Sequence, residues 1–179
     1  MNIGFDLDKV FVDYPPLIPD ALINKLYKKK DNGILLYRIP SRPEQILRRL
    51  SHLPFLRPTI KKNIRFLQSI SKSNHKLYLI SSRFSFLEKP TNKLMKKQGF
   101  DKIFDGMYFN YQNKQPHEFK NEVLHKLHID LYVDDDLSLL KHVAKENMNT
   151  HFFWLNPQKG KHSLTANITA INDLTDMLN

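Results

Sequence analysis

The chain opens Met1-Asn-Ile-Gly-Phe-Asp6-Leu-Asp8-Lys9-Val10, an apolar run that ends in two aspartates one residue apart. Alternate residues of a strand share a face, so Asp6 and Asp8 fall on one side of a strand end. Two carboxylates there attract a hard cation such as Mg²⁺, or divide the work of nucleophile and proton donor. Alone, such a pair is a weak signal and reads more readily as a polar strand end or a turn. Partners elsewhere in the chain decide between these readings. Leu79-Ile80-Ser81-Ser82-Arg83 puts a hydroxyl at the end of a second apolar strand, where parallel sheets bind ligands and Ser81 is placed to donate to a phosphoryl oxygen. Tyr132-Val133-Asp134-Asp135-Asp136 sets three acids after another apolar strand, and they repel one another unless a cation or a basic group neutralises them. Lys114 and Lys120 lie between, near the start of the preceding helix. Either is suited to neutralise both the acids and a bound phosphate.

Positioning these groups requires strands and helices in alternation, the mark of a parallel α/β sheet. Strands are expected at 2–6, 76–80, 106–109, 130–133 and 151–155, short and continuously apolar as in strands covered on both faces. Ile60, Ile64, Leu67 and Ile70 recur at helical spacing. Residues 90–98 read as a helix stopped by Gly99, and further stripes run through Phe119, Val123, Leu124 and Leu127 and through Leu139, Leu140, Val143 and Ala144. Ile171, Leu174 and Leu178 predict a closing helix.

Residues 13–57 interrupt this alternation and are too long for an ordinary strand-to-helix loop. They hold six of the ten prolines, with Pro58 just past the edge, and nine Lys/Arg against four acids. Helices are expected around 20–29 and 42–51, the second opening with the capping box Ser41-Arg-Pro-Glu44. We read 13–57 as a small, basic, mostly helical insert over the strand ends, and 1–12 with 58–179 as the core.

The chain is 179 residues long, long enough for one domain with a real core. It has no cysteine, which excludes disulfides, thiol catalysis and Cys-ligated zinc. Its eight histidines show no zinc-protease spacing, and there is no Gly-rich phosphate loop. A net charge of +10 favours anionic partners. The N-terminus does not read as a secretory signal, and the longest apolar stretches are too short to span a bilayer. No membrane association and a cytoplasmic location are expected.

In chain order the set is Asp-x-Asp, Ser, Lys, Asp-Asp, and this combination resembles the haloacid dehalogenase superfamily of phosphohydrolases. Ile3-Gly-Phe-Asp6-Leu-Asp8-Lys-Val10 is similar to the family's first motif, Leu77-Tyr-Leu-Ile-Ser81 to its second, and Tyr132-Val-Asp134-Asp135 to its fourth. Leu56-Arg-Pro-Thr-Ile60 and Gly99-Phe-Asp-Lys-Ile-Phe-Asp105 resemble the connecting stretches, so the likeness covers nearly the whole chain, with the insert where the family carries a cap. The resemblance implies a Rossmann-like three-layer α/β/α sandwich with a central parallel sheet of about five strands and a small helical cap after the first. It implies Asp6 as the nucleophile that becomes an aspartyl-phosphate, and Asp8 as the acid that protonates the leaving oxygen and then activates water. It implies Mg²⁺ held by Asp6, the Asp8 carbonyl and an acid of the fourth motif, Asp135 with Asp134 in support. Ser81 would bind the phosphoryl oxygens and a lysine would balance charge. Lys114 before a proline and Lys120 within the helix each match one arrangement of that lysine, Lys120 the slightly better. Ser82, Arg83 and Lys9, beside the motifs, are candidates to contact substrate. Lys9 stands where glycine is commonest, and Ser138 and Leu139 stand where the family often has another acid.

The expected substrate is a small phosphate monoester, a nucleoside monophosphate first, with Phe11, Tyr14, Tyr27 and Tyr37 as candidates to stack a base. A nucleic-acid end phosphatase, or a non-catalytic nucleic-acid binder on the same scaffold, is the alternative that the charge permits. A phospho-acceptor signalling domain would need the acidic pair first and the acceptor aspartate after it, an order this chain lacks.

Overall fold

The computed structural model describes residues 1–15, 28–31, 34–53, 55–155 and 163–178. Along the chain the elements are β1 (Asn2–Phe5), β2 (Lys28–Asp31), β3 (Ile34–Tyr37), α1 (Arg42–Ser51), α2 (Lys61–Ile70), β4 (Lys76–Ser81), α3 (Glu88–Gln98), β5 (Gly106–Phe109), α4 (Pro116–Leu127), β6 (Leu131–Asp134), α5 (Leu137–Glu146), β7 (His151–Leu155) and β8 (Ile168–Ile171). Six strands form one sheet in the order β5-β4-β1-β6-β7-β8, every pair parallel. The chain builds outward from β1 to one side through β4 and β5, then returns to the other side through β6. The C-terminal edge of β1 is therefore the topological switch point, where such sheets form their ligand crevice.

Period-two alternation sends side chains to two separate cores. Ile3, Phe5, Leu77, Leu79 and Val133 meet Phe66, Leu67 and Ile70 of α2 and Leu94 and Met95 of α3 on one face. Ile80, Tyr132, Phe152 and Trp154 meet α4 and α5 on the other. Three layers result. Gly4 allows a close approach on the second face, since a Cβ there would sit 2.8 Å from the Tyr132 ring. Gly99 ends α3 at φ 67°, in the left-handed region that favours glycine.

The sheet has six strands, not five. Ile171 belongs to β8, and Leu174–Leu178 is a short 3₁₀ turn, not the expected closing helix. Only Ile168 and Ile171 of β8 are buried, a burial spacing that gives no period-two signal.

The 13–57 insert is pinned at its neck. Asp13 N–H donates to the Pro58 carbonyl at 2.8 Å and Ile60 N–H to that of Phe11 at 2.9 Å. Inside the insert, β2 and β3 pair antiparallel, so its described part is mixed and not simply helical. The helix expected around 20–29 lies mostly outside the described residues, and Lys28 and Lys29 at its end are in β2. The Lys-Lys-Lys-Asp sequence of β2 carries no apolar alternation to announce a strand. The helix α1 forms where the capping box placed it, Glu44 accepting from the Ser41 N–H at 2.7 Å. Its outward side leaves Ile46, Leu47 and Leu50 exposed. Among the described residues no helix is long and apolar enough to cross a membrane.

Candidate active site

Asp6 is the first residue past β1, and its N–H extends the ladder by donating to the Val133 carbonyl at 2.9 Å. Ser81 ends β4 and Asp134 ends β6, the strands on either side of β1. Three neighbouring strand ends therefore deliver the hydroxyl, the first aspartate and the acidic run to one crevice. One turn into α4, Lys120 reaches across the crevice floor. Its Nζ donates to Asp6 Oδ1 at 2.9 Å and to Asp134 Oδ2, with all three side chains buried. Tyr132 OH lies 3.3 Å from the same Asp134 oxygen. Between two carboxylates the ammonium is held well above its ordinary pKa, despite burial. Burial outweighs Lys120 at Asp6, whose carboxyl is pushed up to about 7, with Asp134 and Asp8 adding to the shift.

The turn after β1 places Asp8 opposite. Its N–H donates to Asp6 Oδ2 at 2.9 Å. Its carboxylate is gripped by two guanidiniums: Arg57 Nη1 at 2.6 Å, Arg83 Nη2 at 2.7 Å and Arg83 Nε at 2.9 Å. Against the cost of burial, the two cations hold this carboxyl far below the usual carboxylate range. Arg57 is 2% exposed and also donates from Nε to the Asp13 carbonyl at 3.0 Å, which ties the neck of the insert to the site. Lys9 completes the turn at φ 62°, which explains why glycine suits the position. Its Nζ pairs with Asp13 at 2.8 Å.

The carboxylate oxygens of Asp6, Asp134 and Asp135 come within 4.8 Å of one another. An all-oxygen, acidic set of this kind fits a hard divalent cation. Asp134 is already engaged by Lys120, Tyr132 and the Asp136 N–H, the last at 3.0 Å. The Asp135 carboxylate makes no hydrogen bond among the described residues, and burial together with Asp134 and Asp6 drives its pKa well up. Asp136 stands outside this trio. Its Oδ1 caps α5 through the Ser138 and Leu139 N–H groups, and its Oδ2 accepts from Tyr37 OH at 2.7 Å.

These groups open onto a cavity of about 130 Å³ that Asp6, Asp8, Ser81, Ser82, Arg83 and Lys120 share with the three acids. Its outer wall includes Tyr14, Tyr37 and His52 of the insert and Phe84, Leu87 and Leu139 of the core. Of the sequence candidates, Lys114 is not brought here: it forms an exposed pair with Glu122. Lys9 lies outside the lining, and Arg83 is directed to Asp8 and Thr91. Phe11 is core, Tyr27 is outside the described residues, and Tyr14 and Tyr37 face the cavity. Sequence reasoning counted Arg57 and His52 only as charge and as one histidine among eight. Arg57 stands in the Leu56-Arg-Pro-Thr-Ile60 stretch that carries the resemblance but had no site role there, and His52 sits in no motif; their place at the end of the insert brings them to the site.

In sequence, no family model matches the chain and no curated protein matches it. In structure it is similar to a putative β-phosphoglucomutase from Thermotoga maritima (TM-score 0.62, 18% identity, 99% of this chain and 96% of that one). It is also similar to a D,D-heptose 1,7-bisphosphate phosphatase from B. bronchiseptica, solved with magnesium and phosphate (0.59, 11%, 99% and 97%). A HAD-superfamily hydrolase from Ehrlichia chaffeensis gives 0.57 at 12% identity over 98% and 93%. The fold is that of haloacid dehalogenase-superfamily hydrolases.

Proposed function

We propose that this protein is a Mg²⁺-dependent phosphatase that hydrolyses a small phosphate monoester through an aspartyl-phosphate on Asp6. The observation that carries the reading is the buried Lys120 ammonium bonded to both Asp6 and Asp134 at adjoining strand ends. A carboxylate nucleophile and an anionic phosphate repel each other. A lysine and a cation placed beside both offset that repulsion where charge is transferred.

In this mechanism an Asp6 carboxylate oxygen attacks phosphorus and the bond from phosphorus to the ester oxygen breaks. Water then attacks the same phosphorus, freeing phosphate and Asp6. Lys120 keeps Asp6 oriented, and Ser81 donates to a phosphoryl oxygen. Asp8 is the proton-handling group. Clamped by Arg57 and Arg83 it is in its basic form, ready to take the proton from the attacking water. To protonate the leaving oxygen, Asp8 must first be released by a guanidinium and take up a proton from solvent, which it then passes on. When bound, Mg²⁺ would supply Lewis-acid charge stabilisation, and Asp6 and Asp135 would hold it, with Asp134, which serves Lys120, in support.

The cavity, about 130 Å³ with Tyr14 and Tyr37 on its lining, suits a small phosphate ester. A nucleoside monophosphate is the leading substrate class, with Tyr14 and Tyr37 against the base. Tyr14, Tyr37 and His52 on the cavity lining support segment 13–57 as its cap. The test is hydrolysis of a panel of phosphate esters with Mg²⁺ by the wild type and Asp6→Asn. Turnover should disappear in the variant with the fold intact; turnover that survives it excludes the covalent route.

A further inference from the structure

The residue that answers to no part of this mechanism is His52, at the C-terminal end of α1. Its Nδ1 lies 2.7 Å from the Arg48 carbonyl. A carbonyl only accepts, so Nδ1 carries the proton. Ser51 Oγ, 3.2 Å from Nδ1, donates its own proton to that same carbonyl and so accepts from the ring. Nε2 is then a bare acceptor. Burial, with the Arg57 and Arg83 guanidiniums nearby, presses the pKa well below its usual value and keeps the imidazole neutral.

Nε2 has no hydrogen-bond partner among the described residues, while the ring lines the cavity. Ser82 repeats the pattern, its buried Oγ without a partner on the same lining. A phosphoryl oxygen cannot satisfy a bare nitrogen, because both only accept. The same lining carries the apolar side chains of Phe84, Leu87 and Leu139 beside its charged groups. A fixed neutral acceptor on this lining orients a ligand by a donor the ligand must bring.

We propose that His52 Nε2 accepts a hydrogen bond from a hydroxyl on the alcohol half of the substrate. The ester taken is then one of a polyhydroxy alcohol, a sugar or a nucleoside, in preference to a simple alkyl phosphate. The proposal rests on the phosphatase reading and deepens it. Ser82 Oγ offers the same alcohol a second partner.

The experiment compares ribose 5-phosphate with tetrahydrofurfuryl phosphate, which keeps the ring and lacks its hydroxyls. Wild type should favour the first in kcat/KM by about ten-fold, the scale of one neutral hydrogen bond. His52→Ala and His52→Phe, the second filling the space without an acceptor, should bring the ratio within about two-fold of unity. His52→Gln, whose amide oxygen accepts, should recover part of it. Calorimetric binding of both esters to Asp6→Asn and to Asp6→Asn/His52→Phe should show the same ranking without turnover. A ratio unchanged in both His52→Ala and His52→Phe, or a wild type that does not discriminate, overturns the proposal. Discrimination in binding with no hydrolysis by wild type overturns the phosphatase reading and leaves the role of His52 standing.

Discussion

Arg83 holds Asp8 by two bonds at once, Nε to Oδ2 at 2.9 Å and Nη2 to Oδ1 at 2.7 Å, with side-chain exposures of 2% and 22%. A planar fork makes this grip, and a lysine point charge does not reproduce it. Arg83→Lys should therefore lower kcat/KM by roughly ten- to a hundred-fold with a modest loss of stability. Arg83→Met should cost about 1–3 kcal/mol in urea unfolding, Arg57 retaining part of the clamp. The sign with pH follows from a depressed carboxyl. The stabilisation is present above the ordinary Asp value of 3.8 and is lost only as pH falls towards the lower native value. The midpoint of acid unfolding should accordingly move to higher pH in Arg83→Met; an unchanged midpoint would remove the clamp as a stabilising element.

The two lysines separate cleanly by burial. Lys120→Met leaves Asp6 and Asp134 buried without their cation, so kcat should fall about 10²–10³-fold and stability by about 3–5 kcal/mol. Lys114→Met breaks an exposed pair with Glu122, 37% and 59% exposed, and should change stability by less than about 1 kcal/mol with activity retained. Steady-state kinetics and urea unfolding on the two variants check the contrast.

Magnesium binding should depend on pH through Asp6. Its carboxyl sits at about 7 without a cation, and a ligand must be ionised to bind. Affinity should fall by at least about ten-fold per pH unit below that value, and more steeply because Asp135, whose carboxyl burial also raises, must lose its proton too. Because the native pKa is raised, the metal-free protein gains stability from Asp6 at low pH and loses it as pH rises towards 7. Mg²⁺ should then raise Tm more at pH 8 than at pH 6. Equal shifts at both would place the cation away from Asp6.

Tyr37 joins the insert to the core through three bonds. Its N–H donates to Gln115 Oε1 at 2.9 Å, its carbonyl accepts from Gln115 Nε2 at 3.3 Å, and its hydroxyl donates to Asp136 at 2.7 Å. Tyr37→Phe removes the last and should cost about 1–2 kcal/mol. Amide exchange of β3 should quicken and KM should rise more than kcat falls, because Tyr37 lines the cavity while Asp136 keeps its bonds to the start of α5. Unaltered exchange in β3 would show that the clasp does not hold the insert.

The sequence by itself determined the polar groups and their order. Asp6, Ser81 and Asp134 each follow a short apolar strand, and hydrophobic patterning places strand ends without knowledge of the partner strand. The parallel architecture followed from the same alternation, and α1 from its capping box. β8 was silent because its burial spacing has no period of two, and β2 because three lysines and an aspartate show no apolar face. Tertiary structure alone decided who meets whom. It chose Lys120 over Lys114 as the cation between Asp6 and Asp134, because one faces the crevice and the other solvent. It directed Arg83, on the cavity lining, to Asp8, and brought Arg57 and His52 from the insert to the Asp6-Leu-Asp8 turn. Strand ends are local consequences of composition, whereas contacts across 49 to 114 residues depend on how layers pack. No spacing along the chain encodes that packing.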